Sequence, residues 1–200
     1  QRQMCIRDSR LFDKYYRRSD PKMMSHIAHV LQRFNGGMSC INIYVNQHDF
    51  FISKHRIVEA EKIGASPEWS QIADPNSVPP RSEPSLDALY TEIKRTVELE
   101  EQIIAAVFPT PLLVMQLFLR RVFAQSVQTY VETIMQRALD ADAKVLGTTR
   151  HDTSIDVAGL AFLRMLHVTR SATLMLVADL KTIDLRSAGI TITSTPYSSS

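Results

Sequence analysis

Apolar residues along this chain recur mostly at spacings of three and four, the period of a helix with one face turned inward. Met24, Ile27, Leu31 and Phe34 make the first such stripe. It begins behind Asp20-Pro21, a capping acid followed by a proline whose missing N–H costs a first helical turn nothing. Asn35, Gly36 and Gly37 end it, because glycine enters the left-handed conformation of a helix terminus without strain. A phosphate-cradling loop would need a Gly-Lys-Ser/Thr ending, which is absent.

The stretch 39–63 satisfies two templates. Ile41, Ile43 and Val45 alternate as in a strand, whereas Ile41, Tyr44 or Val45, His48, and Phe51 or Ile52 fit a helical stripe. The helical template covers more residues, and strands of that length are uncommon, so the pattern predicts a helix from Ser39 to about Ile63. Residues 64–84 carry five prolines among Ser, Asn and Asp and predict a long surface loop.

Ser85 then caps a helix with Leu86, Leu89, Ile93, Val97, Ile104 and Val107 close to one face. Pro109 breaks it. Thr110-Pro111 restarts a helix to about Leu139, with Leu112, Met115, Leu119, Val122, Tyr130, Ile134 and Met135 inward. The polar run 140–153 predicts a loop, and Ser154 or Asp156 opens a last helix from Val157 to about Leu185. The fold class is all-α, built of long antiparallel helices.

Composition narrows the class. Hydrophobic residues at 44% and charged residues at 22% describe an ordinary folded protein. A net charge of +2, from 23 basic and 21 acidic residues, supplies no concentrated basic face and points away from nucleic acid. Six glycines disfavour turn-rich β architectures. Two cysteines, Cys5 and Cys40, suit a reducing compartment better than a disulfide scaffold. The longest uncharged run, 103–119, is interrupted by Pro109 and Pro111, so no membrane span is expected.

The two ends differ in character from the rest. QRQMCIRDS at 1–9 resembles translated sequencing-adaptor read-through, and 190–200 is a small-residue tail without periodicity. Both are expected to carry no fold information, leaving 10–189 as a helical fragment of something longer.

Candidate chemistry is thin. His26 and His29 stand three apart and His48 and His55 seven apart, but neither pair has the intervening glutamate or cysteines of a zinc site. Asn46, Gln47, His48 and Asp49 form a polar run that could serve a general base. Neighbours on a helix diverge by about 100° each, so four in a row do not converge on one substrate. Bridging or capping of helices is the expected role of that run, with Phe50 and Phe51 packing beside it. Cys40 among apolar neighbours reads as a small buried hydrophobe. Tyr15, Tyr16, Arg17, Arg18, Arg120 and Arg121 make basic spots that suit solvated faces, with weak attraction to acidic lipid or protein as the sharper option. No catalytic, metal or cofactor residues are expected; the alternative is a helical metal-dependent or hydrolytic enzyme using His48 and Asp49.

Three long strings, FNGGMSCINIYVNQHDFFI at 34–52, EEQIIAAVFPTPLLVMQLFLRRVFAQSVQTYVE at 100–132 and LAFLRMLHVTRSATLMLVADLK at 160–181, resemble the exocyst complex component 5 (Sec-ten subunit) family in a fungal-like version. The resemblance covers roughly 11–185. It implies a piece of an elongated helical-bundle rod in a tethering complex that holds secretory vesicles at the plasma membrane before SNARE-mediated fusion. It further implies function by binding, without catalytic residues or cofactors. The implied partners are other exocyst subunits met through helical faces in a hetero-oligomer, with small GTPases as a further candidate. The implied location is cytoplasmic, peripheral at plasma-membrane sites of secretion.

Overall fold

The computed structural model describes residues 10–52, 67–148 and 159–187, and every regular element among them is helical. A first helix, α1, covers residues 10–16. There follow α2 (Pro21–Gln32), α3 (Met38–Gln47) and the short α4 (Asp49–Ile52). Beyond a 3₁₀ turn at Pro67–Gln71 come α5 (Pro84–Val107), α6 (Pro111–Arg121), a π-helical segment Val122–Val127, α7 (Gln128–Thr148) and α8 (Leu160–Ser187). The fold is an all-α helical bundle.

Contacts divide the chain into two units. One comprises Gln1–Gln47, Arg95–Leu119 and Ala178–Ser200, the other His48–Lys94 and Arg120–Val177. In the first, α2 buries Met24, Ile27, Ala28 and Leu31, and α3 buries Cys40, Ile41, Tyr44 and Val45. Asp20 caps α2 by accepting the Met23 N–H at 3.1 Å. Gly36 and Gly37 adopt φ of 61° and 73°, which lets the chain turn between α2 and α3 where a side chain would be strained.

In α5 the predicted stripe is buried throughout, from Leu86 to Val107. Its cap differs from expectation. The buried Glu83, not Ser85, accepts the Leu86 N–H at 2.7 Å, and the Ser85 hydroxyl donates to the same carboxylate. A carboxylate at the first turn satisfies an orphan donor and also faces the positive end of the helix dipole.

Three more expectations are corrected. The helix begun at Ser39 stops at Gln47 and restarts at Asp49 as the short α4; its continuation through 53–63 lies outside the described residues. Residues 140–148, expected as loop, continue α7. The inward face of α6 is Val114, Met115 and Phe118, while Leu112 is exposed and Leu119 half-buried. Buried positions then step from Phe118 to Val122 by four and to Val127 by five, before Tyr130, Ile134 and Ala138. The π turn absorbs that extra residue, and a strict 3.6-residue template misses it.

The last expected helix is present as α8. Among the described residues, Leu160–Ile183 is long and apolar enough to cross a membrane by length and composition, a test that a core helix also passes. Its apolar residues lie on more than one side: Met165, Val168, Leu176 and Leu180 are buried, whereas Leu163, Leu166, Leu174 and Met175 are exposed. The expected capping residues Ser154 and Asp156 fall outside the described residues, as do 1–9 and 190–200.

Candidate functional site

The spacing of α5 runs 93, 97, 100, 104, 107, and the position at 100 is a glutamate. Glu100 is buried, and the buried Tyr44 of α3 donates its phenolic hydrogen to the Glu100 carboxylate. Around that bond stand aromatic rings. Tyr44 meets Phe108 edge-on at 5.1 Å and Tyr16 at 5.4 Å, and Phe12 lies 5.9 Å from Phe108. Edge-on contacts place positive ring edges against negative faces and stabilise beyond the area they bury. Burial first, and the neighbouring Glu100 carboxylate second, push the Tyr44 phenol far above its ordinary pKa. Tyr44 stays neutral and donates. The pair binds α3 to α5.

A second acid does similar work in the other unit. Asp142 continues the four-residue stripe Tyr130, Ile134, Ala138 on α7 and is buried. One carboxylate oxygen accepts the Ala161 N–H at 2.9 Å and the other accepts Phe162 N–H at 3.1 Å. These are first-turn amides of α8, which have no partner within their own helix. Asp142 therefore caps α8 from another helix. Further along α8, Thr173 is bonded to Tyr90 at 2.6 Å. Because the Thr173 hydroxyl donates to the Thr169 carbonyl at 2.7 Å, Tyr90 is the donor of the pair.

The polar run picked out from sequence is divided at a helix break. Asn46 is exposed and Gln47 half-buried at the end of α3; Asp49 is exposed in the first turn of α4. His48 Nδ1 accepts the Phe50 N–H at 3.1 Å, and the His48 carbonyl accepts the Phe51 N–H at 3.0 Å. His48 thus caps α4. Phe50 is buried, and its ring meets Phe51 edge-on at 5.3 Å. The half-buried Phe51 lies under the Arg121 guanidinium at 4.3 Å, with Arg121 also donating to Gln125 at 2.8 Å. Gly36 and Gly37 shape the turn after α2, whose 3₁₀ residues start at Asn35.

The remaining candidates are dispersed. His26 is exposed, and exposed His29 donates from Nδ1 to the Ser25 carbonyl at 2.8 Å; His55 lies outside the described residues. Cys40 is buried in α3. Arg17 pairs with Asp13 at 3.1 Å on the surface, and Arg18 and Arg120 are exposed. Among the described residues no group of three His, Cys, Asp or Glu is gathered as a metal site would require.

Sequence reasoning passed over Glu100 and Asp142, two acids that tie helices together. The available signal was position: each falls on an apolar stripe at the next step of three or four. An acid there must either break the stripe or be buried with partners.

What the described residues build, then, is a helical bundle in which the buried acids Glu100 and Asp142 join one helix to another. Its family can be stated: the chain belongs to the Sec10-like exocyst component family, whose α-helical bundle model matches residues 10–197. Exocyst complex component SEC10 of Saccharomyces cerevisiae is 28% identical over 162 residues, covering 78% of this chain and 17% of that protein. Arabidopsis thaliana SEC10a is 31% identical over 179 residues, covering 86% and 19%. Exocyst complex component 5 of Oryza sativa is 29% identical over 190 residues, covering 90% and 21%. The chain spans about a fifth of the length of these curated relatives. No solved structure matches it.

Proposed function

We propose that this chain is a segment of a non-catalytic scaffold subunit of the exocyst, which tethers secretory vesicles to the plasma membrane before SNARE-mediated fusion. The observation that carries the reading is the family match over residues 10–197. The described polar groups agree with it. Glu100, Asp142, Glu83 and His48 are engaged with a neighbouring hydroxyl or with helix-end amides, and such contacts hold a rigid frame. A scaffold acts by presenting helix faces, and its partners on this reading are other exocyst subunits in a hetero-oligomer, with small GTPases as a further class. Its place is the cytoplasm, peripheral at membrane sites of secretion.

Co-precipitation of the full-length protein tests the reading. Recovery with the other exocyst subunits, lost when residues 10–187 are deleted, is the expected result. Reproducible hydrolytic turnover abolished by His48→Ala, with no co-precipitating subunits, would overturn it in favour of the enzyme.

A further inference from the structure

The proline-rich segment before α5 has a built conformation. Arg164 of α8 donates into it from its two terminal nitrogens. Its acceptors are the carbonyls of Ile72 at 2.8 Å, Asp74 at 2.9 Å and Ser77 at 3.0 Å, and Ser77 Oγ at 2.9 Å. The Ser77 hydroxyl faces the carbonyls of Gln71 at 2.7 Å and Asp74 at 2.8 Å, and the Asn76 N–H donates to Asp74 Oδ1 at 2.9 Å. That end of the segment is pinned. The other end is fixed by Glu83, whose buried carboxylate receives the Leu86 N–H.

Between the two anchors lie Val78, Pro79, Pro80, Arg81 and Ser82. No hydrogen bond joins these five to another described residue. Val78 is 84% exposed, the most of any large apolar side chain among the described residues, and Pro79, Arg81 and Ser82 are exposed with it. The chemistry of the stretch favours one shape. Each proline fixes φ near −65° and lacks an N–H, and a residue before proline is steered away from the α region. Two consecutive prolines therefore hold Val78 and Pro79 extended, in the polyproline II manner, with carbonyls turned outward. An apolar residue, two prolines and an arginine on such a strap match an aromatic-lined groove that reads polyproline II ligands. Because both ends are fixed, little ordering remains to be done on binding. Arg81 adds a charge that only an acidic rim would complement.

We propose that residues 78–81 are a docking epitope for a partner protein whose polyproline-binding groove is lined with aromatic side chains and flanked by an acidic pocket. Val78 and Pro79 occupy the groove, and Arg81 pairs with the acidic pocket. This surface is independent of the tethering role and of the helix faces that role would use.

Titration of the full chain against a panel of purified SH3 and WW domains with acidic pockets, read by fluorescence anisotropy, tests it. At least one domain is expected to bind with Kd of about 1–100 μM, as befits a short linear epitope. Pro79→Ala with Pro80→Ala, and separately Arg81→Glu, should each weaken that binding by roughly tenfold or more. Circular dichroism and melting should stay as in the parent, since this stretch bonds to no other described residue. Arg164→Ala leaves the epitope's own side chains in place but frees its first anchor, and should weaken binding by about threefold or more. Absence of binding to every domain below about 1 mM overturns the proposal. So does binding that Pro79→Ala with Pro80→Ala and Arg81→Glu leave unchanged.

Discussion

Tyr44 and Glu100, 56 residues apart in sequence, share a buried hydrogen bond that joins α3 to α5. The acid sits where the apolar stripe of α5 calls for a hydrophobic residue, and the tyrosine's ring is held by Tyr16 and Phe108. Tyr44→Phe keeps the ring and removes the donor. It should destabilise the fold by about 1–3 kcal/mol, because a buried carboxylate then loses a bond. Tyr44→Phe combined with Glu100→Leu should cost less than the sum of the two single changes, by about 0.5–3 kcal/mol in a double-mutant cycle. Additive costs in urea titrations would show that the two residues act separately.

The same pair predicts an alkaline limit. Tyr44 is shifted up in the folded state, so the fold favours the neutral phenol. Unfolded tyrosine releases its proton near pH 10 while folded Tyr44 retains it. This contribution to stability is therefore complete below about pH 10 and is lost above it, at up to about 1.4 kcal/mol per pH unit. Tyr90 is shifted in the same direction, chiefly by burial. Tyr44→Phe should therefore remove part of the alkaline decline and leave part. Denaturation measured from about pH 8 to 11 checks the slope, and an unchanged slope in Tyr44→Phe would refute the assignment.

Phe50 and His48 differ in what they lose. Phe50 is buried, so Phe50→Ala should cost about 3–5 kcal/mol. His48→Ala removes a cap bond and should cost about 0.5–2 kcal/mol. Phe51→Ala should fall between them, since its ring is half-buried under Arg121. Equal melting temperatures for all three variants would count against packing as their role.

Asp142→Ala leaves two first-turn amides of α8 without their acceptor. Hydrogen exchange at Ala161 and Phe162 should accelerate, with a stability loss of about 1–3 kcal/mol. Asp142→Asn keeps one acceptor oxygen and should lose less. Exchange unaltered in Asp142→Ala would show that α8 starts without this cap.

Leu163 at 61%, Leu174 at 54% and Met175 at 70% exposure leave α8 with uncovered apolar surface. Surface of that kind associates. The isolated chain should bind a hydrophobic dye or self-associate, and Leu163→Glu with Leu174→Glu should suppress both. A dye-silent monomer in sedimentation would overturn the expectation.

Elements with local causes were legible from the chain alone. The start of α2 needs only Asp20 and Pro21, its end needs only glycines free to take positive φ, and α5 repeats an apolar residue on almost every inward turn. These signals lie within a few residues of what they determine, so the sequence by itself settled the all-α class and the family resemblance. Tertiary structure decided the rest. Polar residues at 140–148 read as a loop until Asp142 is seen to cap α8 from 19 residues away. The break at His48 is capped by that residue's own imidazole, and the π turn at Val122–Val127 takes in an extra residue; a strict helical template shows neither. Glu100 carries the same lesson. A buried polar group is stable only beside a partner, and sequence order does not reveal that Tyr44 is one.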